Sequence, residues 1–339
     1  MSYMNTIFKK TVAFFTAMLM TMMLSACSDS DSSKKDDSNS SKTKINISVL
    51  KGPTGMGAAK LMSDDEAGTT VNDYDFKIAS APDEITAAVV SGNVDICAVP
   101  ANLGAVLYSK TKGDVEVVAV NTLGVLYLLE NGNTIHSVAD LKGKTIYATG
   151  QASTPEYALR YILTKNGINP DEDVKIEYKT EHAELAALMA SDSVVLGVLP
   201  EPNVTSTMAQ NSKLRIALDL NEEWSKCADD DSTLVMGTLI VSKKFAQGNK
   251  EALDAFLTEY KASVDYANNS PKEASVLIEK YGIVAKAALA EKAISNCNIT
   301  YLDGDSMKTQ LSSFLNILYT FNQKSVGGKL PDDAFYYKK

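Results

Sequence analysis

Ile45-Asn46-Ile47-Ser48-Val49-Leu50-Lys51-Gly52-Pro53-Thr54-Gly55-Met56-Gly57 decides how the rest of the chain is read. Its first six residues are dominated by β-branched and large apolar side chains, which predicts a buried strand. The next seven are small or turn-forming, and helical spacing follows through Lys60-Leu61-Met62. Strand, small-residue loop and helix make a βα unit, and the unit recurs. Residues 74–79 read as a strand, followed by Ser80-Ala81-Pro82-Asp83 and a helix over 84–90. Residues 95–99 read as a third strand, followed by Pro100-Ala101-Asn102 and a helix to Tyr108. Residues 115–120 give a fourth, ending at Asn121-Thr122. Apolar strands separated by helices of this length predict an α/β fold with a mostly parallel sheet and helices on both faces.

The series then restarts. Residues 125–129 read as a strand of their own, and Leu141-Lys142-Gly143-Lys144 leads into a strand over 145–148. Gly150-Gln151-Ala152-Ser153-Thr154-Pro155 opens a helix through Leu163. Strands over 174–178, 194–199 and 214–218 alternate with a helix over 183–190 and another after Pro200-Glu201-Pro202. Beyond a strand over 234–242 the pattern is helical almost to the end. Leu253, Phe256, Leu257, Tyr260 and Val264 share one helix face, as do Met307, Leu311, Phe314, Leu315 and Leu318, and both sets read as core stripes. This order predicts two lobes. The first is built from residues 45–128 and 232–339, and the second from 129–231. Crossings near 125–133 and 221–233 would form a hinge.

In open α/β sheets a ligand sits beyond the carboxyl ends of the strands. The loops expected there carry Thr54, Gly55, Met56, Ser80, Asn102, Thr122, Ser153, Thr154 and Glu201. Helix N-termini have unpaired N–H groups and partial positive charge, so they can hold a polar or anionic group without arginine. Each Ser, Thr or Asn taken singly also reads as a helix cap. Tyr127 and Trp224, the only tryptophan, lie in the two crossings. Either could stack on a flat ligand, and Trp224 could equally cover an apolar edge.

Composition excludes several classes. The net charge is −9, and of 33 basic residues only Arg160 and Arg215 are arginine, so nucleic acid is not an expected partner. Gly-Pro-Thr-Gly-Met-Gly over 52–57 lacks the Gly-Lys-Ser/Thr ending of a phosphate loop and the third spaced glycine of a dinucleotide fingerprint. The acidic runs 64–66 and 229–231 lack the alternate spacing of a cation loop, and no CxxC occurs. No metal, cofactor or catalytic residue is therefore expected. His136 and His182 have no ligand partner at helical spacing and read as surface residues. Cys97 reads as a core thiol, and Cys227 and Cys297 could pair.

At the N-terminus, Lys9-Lys10, an apolar run over 11–23 and Leu24-Ser25-Ala26-Cys27 predict a secretory signal over residues 1–26. The last four residues resemble the lipobox of bacterial lipoproteins. The resemblance implies lipidation of Cys27, a membrane anchor and an extracytoplasmic location. Residues 28–44 have no apolar cluster, which predicts a flexible tether over 27–44.

Beyond residue 45 the chain resembles the substrate-binding lipoproteins of ABC importers, in the branch that includes nitrate, sulfonate, taurine and thiamine-precursor binders. The resemblance rests on residues 51–57, on Asp95-Ile96-Cys97-Ala98-Val99-Pro100-Ala101-Asn102, on Asp140-Leu141-Lys142-Gly143-Lys144 and on Ser325-Val326-Gly327-Gly328-Lys329-Leu330-Pro331-Asp332. It implies a two-lobed periplasmic-binding-protein fold of type II. It also implies a monomer that closes over a small-molecule ligand and docks on ABC permease subunits. A small polar or anionic compound and a flat heterocycle fit the loops equally. The alternatives are an enzyme of pyrimidine-precursor biosynthesis on a related fold and a surface receptor or adhesin.

Overall fold

A computed structural model describes residues 42–228 and 232–339. The signal, the lipobox cysteine, most of the tether and the acidic run 229–231 lie outside these residues. The last tether residues belong to the folded body: Lys42 donates to the carbonyl of Gly68, and strand β1 already begins at Lys44.

The first βα series is β1 (Lys44–Leu50), α1 (Pro53–Met56), α2 (Ala59–Glu66), β2 (Asp73–Ala79), α3 (Pro82–Val90), β3 (Ile96–Pro100), α4 (Ala101–Lys110) and β4 (Val115–Leu123). The second is β5 (Leu126–Asn131), β6 (Thr145–Ala148), α5 (Thr154–Lys165), β7 (Lys175–Tyr178), α6 (His182–Ala190), β8 (Leu196–Pro200), α7 (Asn203–Gln210), β9 (Leu214–Asp219) and α8 (Leu220–Cys227). The return strand β10 (Val235–Ser242) precedes α9 (Lys243–Gly248), α10 (Lys250–Asn269), α11 (Pro271–Lys280), α12 (Ala287–Ala293), β11 (Ile299–Leu302) and α13 (Gly304–Phe321).

Two sheets result. One runs β11-β4-β10-β3-β1-β2 and the other β7-β6-β8-β5-β9. The run β2-β1-β3-β10-β4 has the same plan as β7-β6-β8-β5-β9. In both, the first three strands are parallel and an antiparallel strand from the other crossing is inserted before the fourth. The sequence reading cut β5 at residue 128, but β5 pairs along its whole length with β8 and β9, so the chain crosses at Gly124–Val125. The described part of the second crossing is not a bare hinge segment. It contains α8, capped by Asp219, whose carboxylate accepts from the Asn221 and Glu222 amides. The crossings touch, since a Cβ on Gly124 would fall 2.4 Å from Asn221 Oδ1. Sequence reading also missed β11, four residues that pair with β4.

Both predicted helical stripes are fully buried. Burying each such side chain contributes about 1.5–3 kcal/mol against its exposed state. The α10 stripe covers one face of the first sheet and the α13 stripe lies on the other. The core under α13 continues without a break into the second lobe, through Tyr157, Ile162, Leu218 and Trp224. Trp224 is fully buried, its ring 4.6 Å from Tyr161 of the second lobe and 5.5 Å from Phe314 of the first. Of the two roles open to it, it takes the apolar one. Tyr127 is likewise buried in the second lobe's outer core. Cys297 is a free, fully buried thiol pushed well above its ordinary pKa by burial, so it does not pair with Cys227. Cys97 is a buried core thiol. No helix among the described residues is long and apolar enough to cross a membrane.

Candidate ligand-binding cleft

The strand-to-helix loops of both sheets meet where the lobes face each other. Asn102, in the first turn of α4, accepts a 3.0 Å hydrogen bond from the hydroxyl of Thr154, the first residue of α5. Both side chains are buried, at 5% and 0% exposure. Two helix N-termini from different lobes are thus bridged directly. Asn102 is held from behind by the C-terminal segment, because its amide donates to the carbonyl of Ser325. That segment is fastened to α4 by Ser109 donating to Gly327 O and Tyr108 donating to Asp332.

A second group lies at the same end of the first sheet. Asn121 donates to the Thr54 carbonyl and to the Tyr260 hydroxyl, and accepts from Thr122. Gly237, at the start of β10, leaves room for them. A Cβ there would lie 2.5 Å from Asn121 Oδ1 and 2.6 Å from Thr54 Cγ2. Asn121 was not among the residues singled out from sequence, although its place at the end of a buried strand marks it. Gly55 and Met56 serve the core. A Cβ on Gly55 would strike the Leu50 carbonyl at 2.1 Å, and Met56 is fully buried in the cluster that holds Ile45, Leu61 and Phe256.

A third contact crosses the lobes at Glu201. This carboxyl is 1% exposed, accepts from the Thr205 amide and hydroxyl, and receives a 3.5 Å bond from Asn296 of the first lobe. Burial raises its pKa, and these bonds offset part of the rise. Tyr127 closes the contact by donating to the Asn296 carbonyl. Ser80 is exposed, and Ser153 turns back onto the carbonyl of Gly150.

The charge pattern differs from the one expected of bare helix N-termini. Glu84 accepts from the Ser80 amide, Glu156 from the Ala152 amide and Glu201 from the Thr205 amide. Each glutamate meets an N–H at the start of α3, α5 or α7 and places negative charge where an anion would otherwise sit. Neither arginine compensates. Arg215 is bound to the buried Glu130, and Arg160, in a groove along α5 with Ile168, Pro170 and Phe321, is bound to Asp171.

His182 departs from the surface role read from sequence. It opens α6 just after β7, is partly buried, and its Nδ1 lies 2.6 Å from the hydroxyl of the buried Thr149. Burial holds its pKa below the ordinary value, with the Glu181 carboxylate acting against the shift. His136 is exposed, as expected. The acidic run 64–66 is spent on structure: Asp64 on Lys60, Asp65 on the Tyr74 amide, and Glu66 on Lys280 and Tyr281. Among the described residues no cluster of three metal-ligating side chains occurs.

Comparisons with known proteins agree with this architecture. A solved ABC-transporter protein from Parabacteroides distasonis is 27% identical, with a TM-score of 0.74 over 88% of this chain and 99% of its own. The periplasmic aliphatic sulphonate-binding protein SsuA from Escherichia coli is 16% identical, with a TM-score of 0.68 over 88% and 95%. The nitrate-binding protein NrtA from Synechocystis is 12% identical, with a TM-score of 0.59 over 83% and 82%. No curated protein matches. The fold is the two-lobed α/β fold of periplasmic binding proteins. A profile of the family described as NMT1/THI5 like matches residues 68–274, and the chain belongs to that family.

Proposed function

We propose that this protein is the extracytoplasmic solute-binding lipoprotein of an ABC importer, anchored through Cys27 and acting as a monomer. It captures an uncharged or cation-bearing small polar compound, such as an aminated heterocycle, and delivers it unchanged to permease subunits. The observation that carries the ligand class is the set of glutamates 84, 156 and 201 at the starts of the helices that open on the cleft, with both arginines engaged elsewhere. An oxyanion would meet carboxylates where it needs positive charge. Asn102, Thr122, Thr154 and the Thr54 loop supply neutral donors and acceptors. Closure of the lobes is a population shift toward the arrangement in which Asn102 meets Thr154. The matched importer components support the transport role.

The test is mass spectrometry of whatever co-purifies with the full chain, followed by calorimetry with that compound. One compound, nitrogen-rich and recovered unaltered, is expected. A sulfonate or nitrate would overturn the ligand class, and a chemically altered product would overturn the transport reading in favour of an enzyme.

A further inference from the structure

We infer that His182 is a specificity-determining contact of the cleft, offering its Nε2 to a neutral hydrogen-bonding group of the ligand from the second lobe. The inference rests on the solute-binding reading above. Three observations meet at this residue. First, the loop from Thr149 to Thr154 carries both ends of the arrangement: Thr149 holds His182 Nδ1 at 2.6 Å, and Thr154 holds Asn102 of the opposite lobe at 3.0 Å. His182 is therefore tied to the same short loop that touches the first lobe. Second, Nε2 has no hydrogen-bond partner among the described residues, while its ring is partly buried. A ring held by one nitrogen and left open at the other has a fixed direction for the remaining bond. Third, the residue opens α6 beyond the carboxyl end of β7, which runs parallel to β6, so it lies at the same end of the sheet as the Thr149–Thr154 loop that follows β6.

Its charge state fits the ligand class. The helix N-terminus and burial both disfavour a proton, and the nearby carboxylate of Glu181 is the opposing influence. The neutral ring presents either N–H or a lone pair at Nε2, according to which way the Thr149 hydroxyl points. Both suit an amino or ring nitrogen of a heterocycle better than a full anion.

The chain contains only two histidines, so imidazole nuclear magnetic resonance resolves this residue against an internal control. Cytosine, taurine and nitrate are each titrated into the full chain, with calorimetry in parallel. The expected result is that cytosine binds, that the His182 resonance moves while His136 does not, and that His182→Ala weakens binding about ten-fold with partial rescue in His182→Gln. The wild-type resonance carries the test should the alanine variant misfold. A probe that binds by calorimetry without moving the His182 resonance overturns this inference and leaves the solute-binding reading intact. Binding of taurine or nitrate in place of cytosine overturns the neutral-contact assignment together with the ligand class. Failure of all three probes to bind the wild-type chain counts against the solute-binding reading, and the role of His182 falls with it.

Discussion

Replacing Thr154 by Val keeps the shape of the side chain and removes the hydroxyl that Asn102 accepts from. Thr154 is fully buried and Asn102 nearly so. Loss of the bond leaves Asn102 Oδ1 without that donor in a buried place, which costs about 1–3 kcal/mol. The bond joins the two lobes, so this cost falls on the apposed arrangement and not on either lobe alone. A loss of about 1.4 kcal/mol changes the ratio of apposed to separated lobes about ten-fold. Small-angle scattering should show a larger radius of gyration for Thr154→Val, and calorimetry a correspondingly weaker affinity for the co-purifying compound. Asn102→Ala alone also removes the bond to the Ser325 carbonyl, so the two substitutions are best combined. A double-mutant cycle in urea cancels that extra loss and should return a coupling of about 0.5–1.5 kcal/mol. Coupling below about 0.3 kcal/mol, with unchanged scattering, would refute the view that this pair latches the lobes.

Further expectations follow from the same structure. Trp224→Ala, which empties the fully buried space between Tyr161 and Phe314, should cost about 3–5 kcal/mol in urea unfolding followed by circular dichroism; a loss under about 1 kcal/mol would show that the interlobe core tolerates collapse. Glu156→Gln keeps an acceptor for the Ala152 amide and removes its charge, so nitrate should bind the variant better than wild type by calorimetry, and unchanged nitrate binding would count against the role given to these glutamates. Glu130 is buried, yet bonds from Thr134, Ile135 and Arg215 outweigh the desolvation and hold its pKa low. Such a group contributes stability above its unfolded pKa of about 4.3, and the contribution is lost as pH falls through the lower folded value. Arg215→Ala should therefore destabilise by about 2 kcal/mol at neutral pH, and the gap to wild type should narrow on strong acidification. A gap that is flat with pH would remove Glu130 from the explanation. Thiol reagents should not reach Cys97 or Cys297 in the native state, since both are buried with thiols held protonated, and should label both in urea.

Much of the fold was legible because most of its strands are largely apolar stretches of four to nine residues bounded by small-residue loops. The α10 and α13 stripes were legible because each repeats every three or four residues over several turns. The strand β11 was not, since Ile299-Thr300-Tyr301-Leu302 is too short to show an alternation and pairs irregularly with β4. The crossing at Gly124 was misplaced by a few residues because β5 is as apolar as the strand before it, and only pairing distinguishes which sheet it joins. The cleft was read through its loops, and Asn102 and Thr154 lie in them. That the two touch depends on packing between residues 52 positions apart, which no local pattern encodes. Glu201 was named from sequence, but Glu84 and Glu156 were readable and passed over: Ser80 and Glu84, and Ala152 and Glu156, stand four apart at the starts of helices. His182 was assigned to the surface for want of a metal partner, whereas its place at the start of a helix, in the short connection after a strand, was the informative signal.

The strand exchange between the two sheets also governs the order in which the chain can fold as it emerges. The second sheet is assembled from one contiguous stretch, Leu126 to Asp219, and needs nothing synthesised later. The first sheet has a gap between β3 and β4 that only β10 fills, and β10 starts at Val235. Until that segment arrives, two long apolar strand edges stand open, each a template for mispairing with another chain. The first strands of the folded body are thus among the last to be completed, and the protein needs β1 to β4 kept apart from its neighbours until β10 follows.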